Sequence, residues 1–276
     1  MIEKLSSLPL YQHINMALLF GGLLLCIICW LLGAGVRVIK SRRMACPPRY
    51  EGSRFPNIAD ELCIILYLLI FTTMKMGDFF ADAPDTGENP NLTAGAWLST
   101  IYMLLIASPF ILRYLTLPPT KDVLNKQNFK RLGLCLLSIY LAAAIMDLAG
   151  LDDFIMSKFG APENQSLVDT IAEGDSTSLL VALGFSAIIV APITEEITFR
   201  GFLYNVLRQR CGIITGTLVS SLFFSVIHIS LVQEPALFLF GCLQCYLFEK
   251  TNSIVVPIIF HMCFNALSVC FIINFM

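Results

Sequence analysis

Long apolar runs alternate with short polar stretches along the whole chain. Runs at or near membrane-spanning length fall at residues 16–36, 62–80, 94–112, 132–148, 178–206, 213–231, 235–248 and 254–274. In hydrocarbon every backbone polar group must be satisfied internally, so such runs become helices. The pattern predicts an all-α polytopic membrane protein with about eight transmembrane helices. Between the runs lie a basic stretch at 37–54, an acidic, turn-rich loop at 82–90, a basic connector at 121–131 and a long acidic loop at 151–177. Pro109 predicts a kink near the end of the third helix.

The basic residues orient these helices. Of eighteen Lys and Arg, Lys4, Lys75 and Lys158 fall on one side, Arg200 lies inside a run, and the other fourteen fall on the opposite side. By the positive-inside rule the second side is cytoplasmic and both termini lie outside. Hydrophobic residues make up 57% of the chain and charged residues 14%, with a mean hydropathy of +0.75. A soluble domain carries about 25% charged residues, so soluble classes are excluded and the bilayer is the first partner. The net charge of −2 says little, and no basic patch suggests nucleic acid. None of the ten cysteines falls in an outside loop, so no disulfide framework is indicated. Cys242 and Cys245 sit mid-run and read as packing.

The fifth run changes the picture. Its stretch Ala191-Pro-Ile-Thr-Glu-Glu-Ile-Thr-Phe-Arg200 places Glu195, Glu196 and Arg200 in an apolar segment. One charge at the bilayer centre costs about 2.5–3.5 kcal/mol on insertion scales, so three together need a reason. Glu196 and Arg200 stand four apart and share a helix face, which suits a structural ion pair. Glu195 is rotated by about 100° and is left for chemistry. Pro192 kinks the helix and frees backbone carbonyls toward a cavity.

Two of the three histidines, His228 and His261, also lie inside apolar runs. Glu195 and His228 are about 15 and 16 residues from the Cys211-Gly212 turn, hence roughly 22–24 Å along adjacent antiparallel helices. His261 lies about 15 Å along its own helix, and Asn265 follows one turn later on the same face. Phe224 precedes His228 by one turn and is placed to wall the site from lipid. Scarce polar residues from three spans thus converge within about one turn of depth. That depth lies in the outer half of a core about 30 Å thick, so the site opens more readily outward. An outward site favours a membrane-embedded or exported peptide as substrate.

Glu195-Glu196-x-x-x-Arg200, Phe224-x-x-x-His228 and His261-x-x-x-Asn265 together resemble the motif set of the CPBP intramembrane endopeptidases, the CAAX prenyl proteases type II and bacteriocin-processing enzymes. The likeness covers residues 179–269. It implies an N-terminal unit of helices 1–4 at 1–177 and a catalytic core of helices 5–8 at 178–276. It further implies a membrane protease of a bacterial cytoplasmic membrane, acting on a peptide or protein substrate that is prenylated in some members. Carried over, the catalytic set is Glu195, Glu196, His228, His261 and Asn265. Glu195 and His228 would activate water, while His261 and Asn265 would position it, stabilise the oxyanion or bind metal. A neutral imidazole beside a carboxylate suits general-base chemistry. Glu195, His228 and His261 equally suit a divalent metal such as zinc. There is no H-E-x-x-H, so a zincin is excluded. The same polar cluster also fits a non-enzymatic scaffold, a self-immunity factor or a transporter.

Overall fold

The computed structural model describes residues 8–39, 64–65, 67–69, 92–115, 123–162 and 177–275, and no strand occurs among them. The helices are α1 (Leu10–Ile39), α2 (Leu92–Leu115), α3 (Lys126–Leu148), α4 (Leu151–Phe159), α5 (Thr177–Cys211), α6 (Ile213–Val226), α7 (Glu234–Thr251) and α8 (Val255–Phe275). The protein is an all-α polytopic membrane protein. Leu10–Leu32, Lys126–Leu148, Thr177–Cys211 and Val255–Asn274 are long and apolar enough to cross a membrane. The apolar parts of α2 and α6, Gly95–Pro109 and Ile213–Val226, are shorter. Apart from residues 64–65 and 67–69, the run expected at 62–80 lies outside the described residues, as do the loops at 40–54 and 82–90.

Helices α1 and α3 begin at Leu10 and Lys126, ahead of the runs expected from 16 and 132, and two further differences alter an element. The acidic segment after α3, read as loop, begins with α4, set between Gly150 and Gly160 in left-handed conformation at φ 68 and φ 66. Asp152 and Asp153 in its first turn and Lys158 in its last complement the helix dipole. Burial of Ile155 against Ala161 and Val232 anchors it. The second difference is α6, expected to reach residue 231 but ending at Val226. The next residues form a turn in which Ile229 adopts φ 55.

Lipid and core faces follow the helical period. On α3, Leu134, Leu137, Leu141, Ile145 and Leu148 form an exposed apolar stripe. On α1, Phe20, Leu24, Ile28 and Leu31 face outward, while Asn15, Met16, Leu19, Leu23 and Cys26 are buried. The inward face joins one core with Phe199, Leu203 and Leu207 of α5, Phe223 and Phe224 of α6, Phe240 of α7 and Phe260 of α8.

Helices α6 and α7 meet closely at Gly241, where an added Cβ would stand 2.8 Å from the Ser221 Cβ and 3.0 Å from its Cα. The obstacle is backbone, which cannot turn aside. Gly241→Ala is therefore expected to destabilise the protein by about 1–3 kcal/mol through overpacking. Thermal melting in detergent reads this directly, and an unchanged melting temperature would refute the close packing.

Candidate active site

Helix α5 carries the site and is not uniformly α. It widens into π-helical turns at Ser186–Val190 and again at Ile197–Tyr204, on either side of Ala191–Glu196. In the first widened turn the Ala191 N–H reaches back five residues to the Ser186 carbonyl. The next donor in that register is Pro192, which has no N–H, so the Ala187 carbonyl loses its helical partner. Asn265 of α8 takes that place, its Nδ2 donating to the Ala187 carbonyl at 2.7 Å. The proline thus frees a carbonyl, as its position predicts, and the freed group ties α5 to α8.

The two adjacent glutamates each have a buried Oε2 without a hydrogen-bond partner among the described residues, and they differ in burial and in what Oε1 meets. Glu196 is fully buried, and its Oε1 accepts from Arg200 Nη1 at 3.0 Å, Gln244 Nε2 at 2.9 Å and His261 Nδ1 at 2.9 Å. A carboxylate can only accept, so the His261 proton sits on Nδ1, which leaves Nε2 with the lone pair in the neutral ring. Arg200, also fully buried, extends Nη2 toward the Gly241 carbonyl at 3.4 Å. Glu195 is half-buried, and its Oε2 is buried with no hydrogen-bond partner among the described residues. A buried carboxylate oxygen left unpaired is costly, and such an atom needs a donor such as water or substrate.

Phe224 links the histidines and does more than wall off lipid. It is fully buried, with ring centroids 4.8 Å from His228 and 6.1 Å from His261, and the Arg200 guanidinium stands 4.4 Å over its face. His228 lies beyond the end of α6, in the turn, and not within the helix as its sequence position predicts. Its Nδ1 meets the Phe224 carbonyl at 2.8 Å. A carbonyl only accepts, so this bond fixes the proton on Nδ1 and leaves Nε2 basic.

Hydrogen bonds and ring contacts therefore connect Glu196, Arg200, His261, Phe224 and His228, with Asn265 one turn beyond His261 on α8. Glu195 sits on the adjacent flank of α5. Gln244 was missed in the sequence because an uncharged amide between Cys242 and Cys245 carries no signal of charge or motif. Its position inside an apolar span is the clue that would have found it. A metal would need Glu195, His228 and His261 together. Among the described residues no three His, Cys, Asp or Glu side chains are grouped to hold an ion, and His261 is turned to Glu196.

Residues 177–267 match the family described as type II CAAX prenyl endopeptidase Rce1-like. The chain is 26% identical over 193 residues to the "Putative membrane peptidase YdiL" of Bacillus subtilis (strain 168), covering 67% of this chain and 75% of the relative. It is 28% identical over 115 residues to the "Uncharacterized 24.3 kDa protein" of Escherichia coli, covering 40% of this chain and about half, 52%, of that relative. No solved structure matches significantly.

Proposed function

We propose that this chain, whose residues 177–267 match the type II CAAX prenyl endopeptidase Rce1-like family, is a CAAX-type intramembrane peptidase whose attacking water is activated by Glu195 and His228. The observation that carries this reading is the contrast between the glutamates. Both have a buried Oε2 without a partner among the described residues, but Glu196 is fully buried and tied through Oε1 to three donors, whereas Glu195 is only half-buried and open to an incoming water. Glu195 takes a proton from water, and the oxygen attacks the scissile carbonyl carbon. His228 Nε2 shares in holding that proton and returns it to the leaving amine as the C–N bond breaks. Glu196 holds His261 in one orientation, and His261 Nε2 accepts from the water before attack. Asn265 holds α5 and α8 at a fixed separation, and its remaining N–H is available to the developing oxyanion.

The direction of access follows from α6. Arg208 and Arg210 mark the turn before it as cytoplasmic, and fourteen residues of helix place His228 about 20 Å further along. The site therefore opens toward the side opposite that turn, which favours a membrane-embedded or exported peptide over a cytoplasmic prenylated one.

The test uses the purified full chain in detergent with two substrates, a prenylated CAAX peptide and an unmodified membrane-spanning peptide, each with and without chelator. Cleavage of either peptide, lost in Glu195→Gln and retained with chelator, is the expected result. Preference for the unmodified peptide supports outward access. Cleavage abolished by chelator and restored by zinc overturns the metal-free water. Inertness toward both peptides returns the scaffold or self-immunity reading.

A further inference from the structure

We propose that Asn15 of α1 is a positioning residue that holds His228 in its working orientation, an inference that rests on His228 acting in catalysis. The sequence gives α6 every reason to continue past Val226, because residues 227–231 are mostly apolar and the predicted helix runs through them. The chain instead leaves the helix within three residues. The N–H groups of His228 and Ile229 bond only three residues back, to Ser225 at 3.1 Å and Val226 at 3.3 Å. Ile229 then turns the chain away with φ 55, a conformation that a β-branched residue rarely adopts. Strain of this kind persists only where the surroundings over-determine it, and it collects at functional sites.

The surroundings here are α1. Asn15 is 1% exposed, and its Nδ2 donates to the Ile229 carbonyl at 3.2 Å. Seven residues on, and so on the same face, Gly22 lets α1 approach the last turn of α6. An added Cβ there would stand 3.1 Å from both Phe223 Cδ2 and Val226 Cγ2. The first helix thus grips the end of α6 from both sides of the turn. With Ile229 fixed, His228 is the residue at the bend, and its ring folds back onto the Phe224 carbonyl. Without the clamp the apolar segment can wind back into helix and carry His228 round with it. Helix α1 lies wholly outside the segment matched to the peptidase family.

Asn15→Leu separates positioning from stability. It keeps the volume and removes the donor, and it also removes Oδ1, which is buried without a partner among the described residues. The melting temperature should therefore hold or rise. With the full chain in detergent and a peptide found to be cleaved, kcat should fall about a hundredfold while KM stays within about twofold, as for a displaced catalytic group. Asn15→Ser, too short to reach the carbonyl, should give the same loss. Glycine takes φ 55 without steric cost, so Ile229→Gly in the Asn15→Leu background should restore kcat at least about tenfold. Wild-type kcat in both Asn15 variants overturns the proposal, as does absence of rescue by Ile229→Gly. If His228→Ala is itself active, the site assignment has failed. If His228→Ala is dead and the Asn15 variants are fully active, only the role of Asn15 has failed.

Discussion

Glu195→Gln and His228→Ala are each expected to lower peptide turnover by about a hundred- to ten-thousand-fold, the range that a positioned acid or base contributes, and to leave the protein folded and monodisperse. Glu195 makes no hydrogen bond from its buried Oε2 among the described residues, so an amide gives up no hydrogen bond at that oxygen. His228 meets its own helix end through Nδ1 and is half-buried, so its truncation is expected to disturb the core little. The loss should appear in kcat and in kcat/KM alike, because the role proposed for both groups is on the attacking water and not on the bound peptide. Removing both together should cost little more than removing one if they act as the single proton-transfer unit proposed. Turnover per inserted molecule, measured beside size exclusion and melting, decides the matter. Near wild-type turnover in either variant means that the water is activated elsewhere, with Glu196 and His261 the next pair to test.

Much of this site was legible in the sequence because charge is scarce in a membrane chain. Glu195, Glu196, Arg200, His228 and His261 stand out against apolar runs, and the four-residue spacing of Glu196 and Arg200 corresponds to the 3.0 Å pair in the structure. The role of Pro192 was also readable, since a missing N–H must leave a carbonyl free. The partner of His261 was not. A strict 3.6-residue period cannot describe α5, whose widened turns at Ser186–Val190 and Ile197–Tyr204 change the angular register on both sides of the glutamates. It is Glu196, not Glu195, that meets His261. The end of α6 was hidden for a different reason. Nothing in residues 227–231 signals a stop, and the turn is held by Asn15, which lies 214 residues from Ile229 in sequence. Tertiary contact overrides local preference there, as burial of Ile155 does for α4 in a segment that reads as acidic loop.

Removing Arg200 is expected to damage the fold where removing Glu195 does not. Arg200 and Glu196 are both fully buried, and the guanidinium reaches Glu196, the Gly241 carbonyl and the Phe224 ring. Arg200→Met leaves the Glu196 carboxylate in a low-dielectric interior without its guanidinium partner, with Gln244 and His261 as the remaining donors. Breaking a buried pair by removing one partner costs about 3–5 kcal/mol, much of it the price of the stranded charge. Lysine is no substitute, because a single ammonium cannot serve Glu196 and Gly241 while stacking on Phe224. The double variant Arg200→Met, Glu196→Leu removes both charges and should regain most of the lost stability, since apolar replacements of buried pairs are often neutral. It should stay inactive, because His261 then has no carboxylate to hold its Nδ1 proton. Thermal melting of the wild type, Arg200→Met and the double variant, with Glu195→Gln beside them, separates these effects. A melting temperature for Arg200→Met equal to that of Glu195→Gln would show that Glu196 does not depend on Arg200. Activity in the stable double variant would show that chemistry does not depend on Glu196 orienting His261.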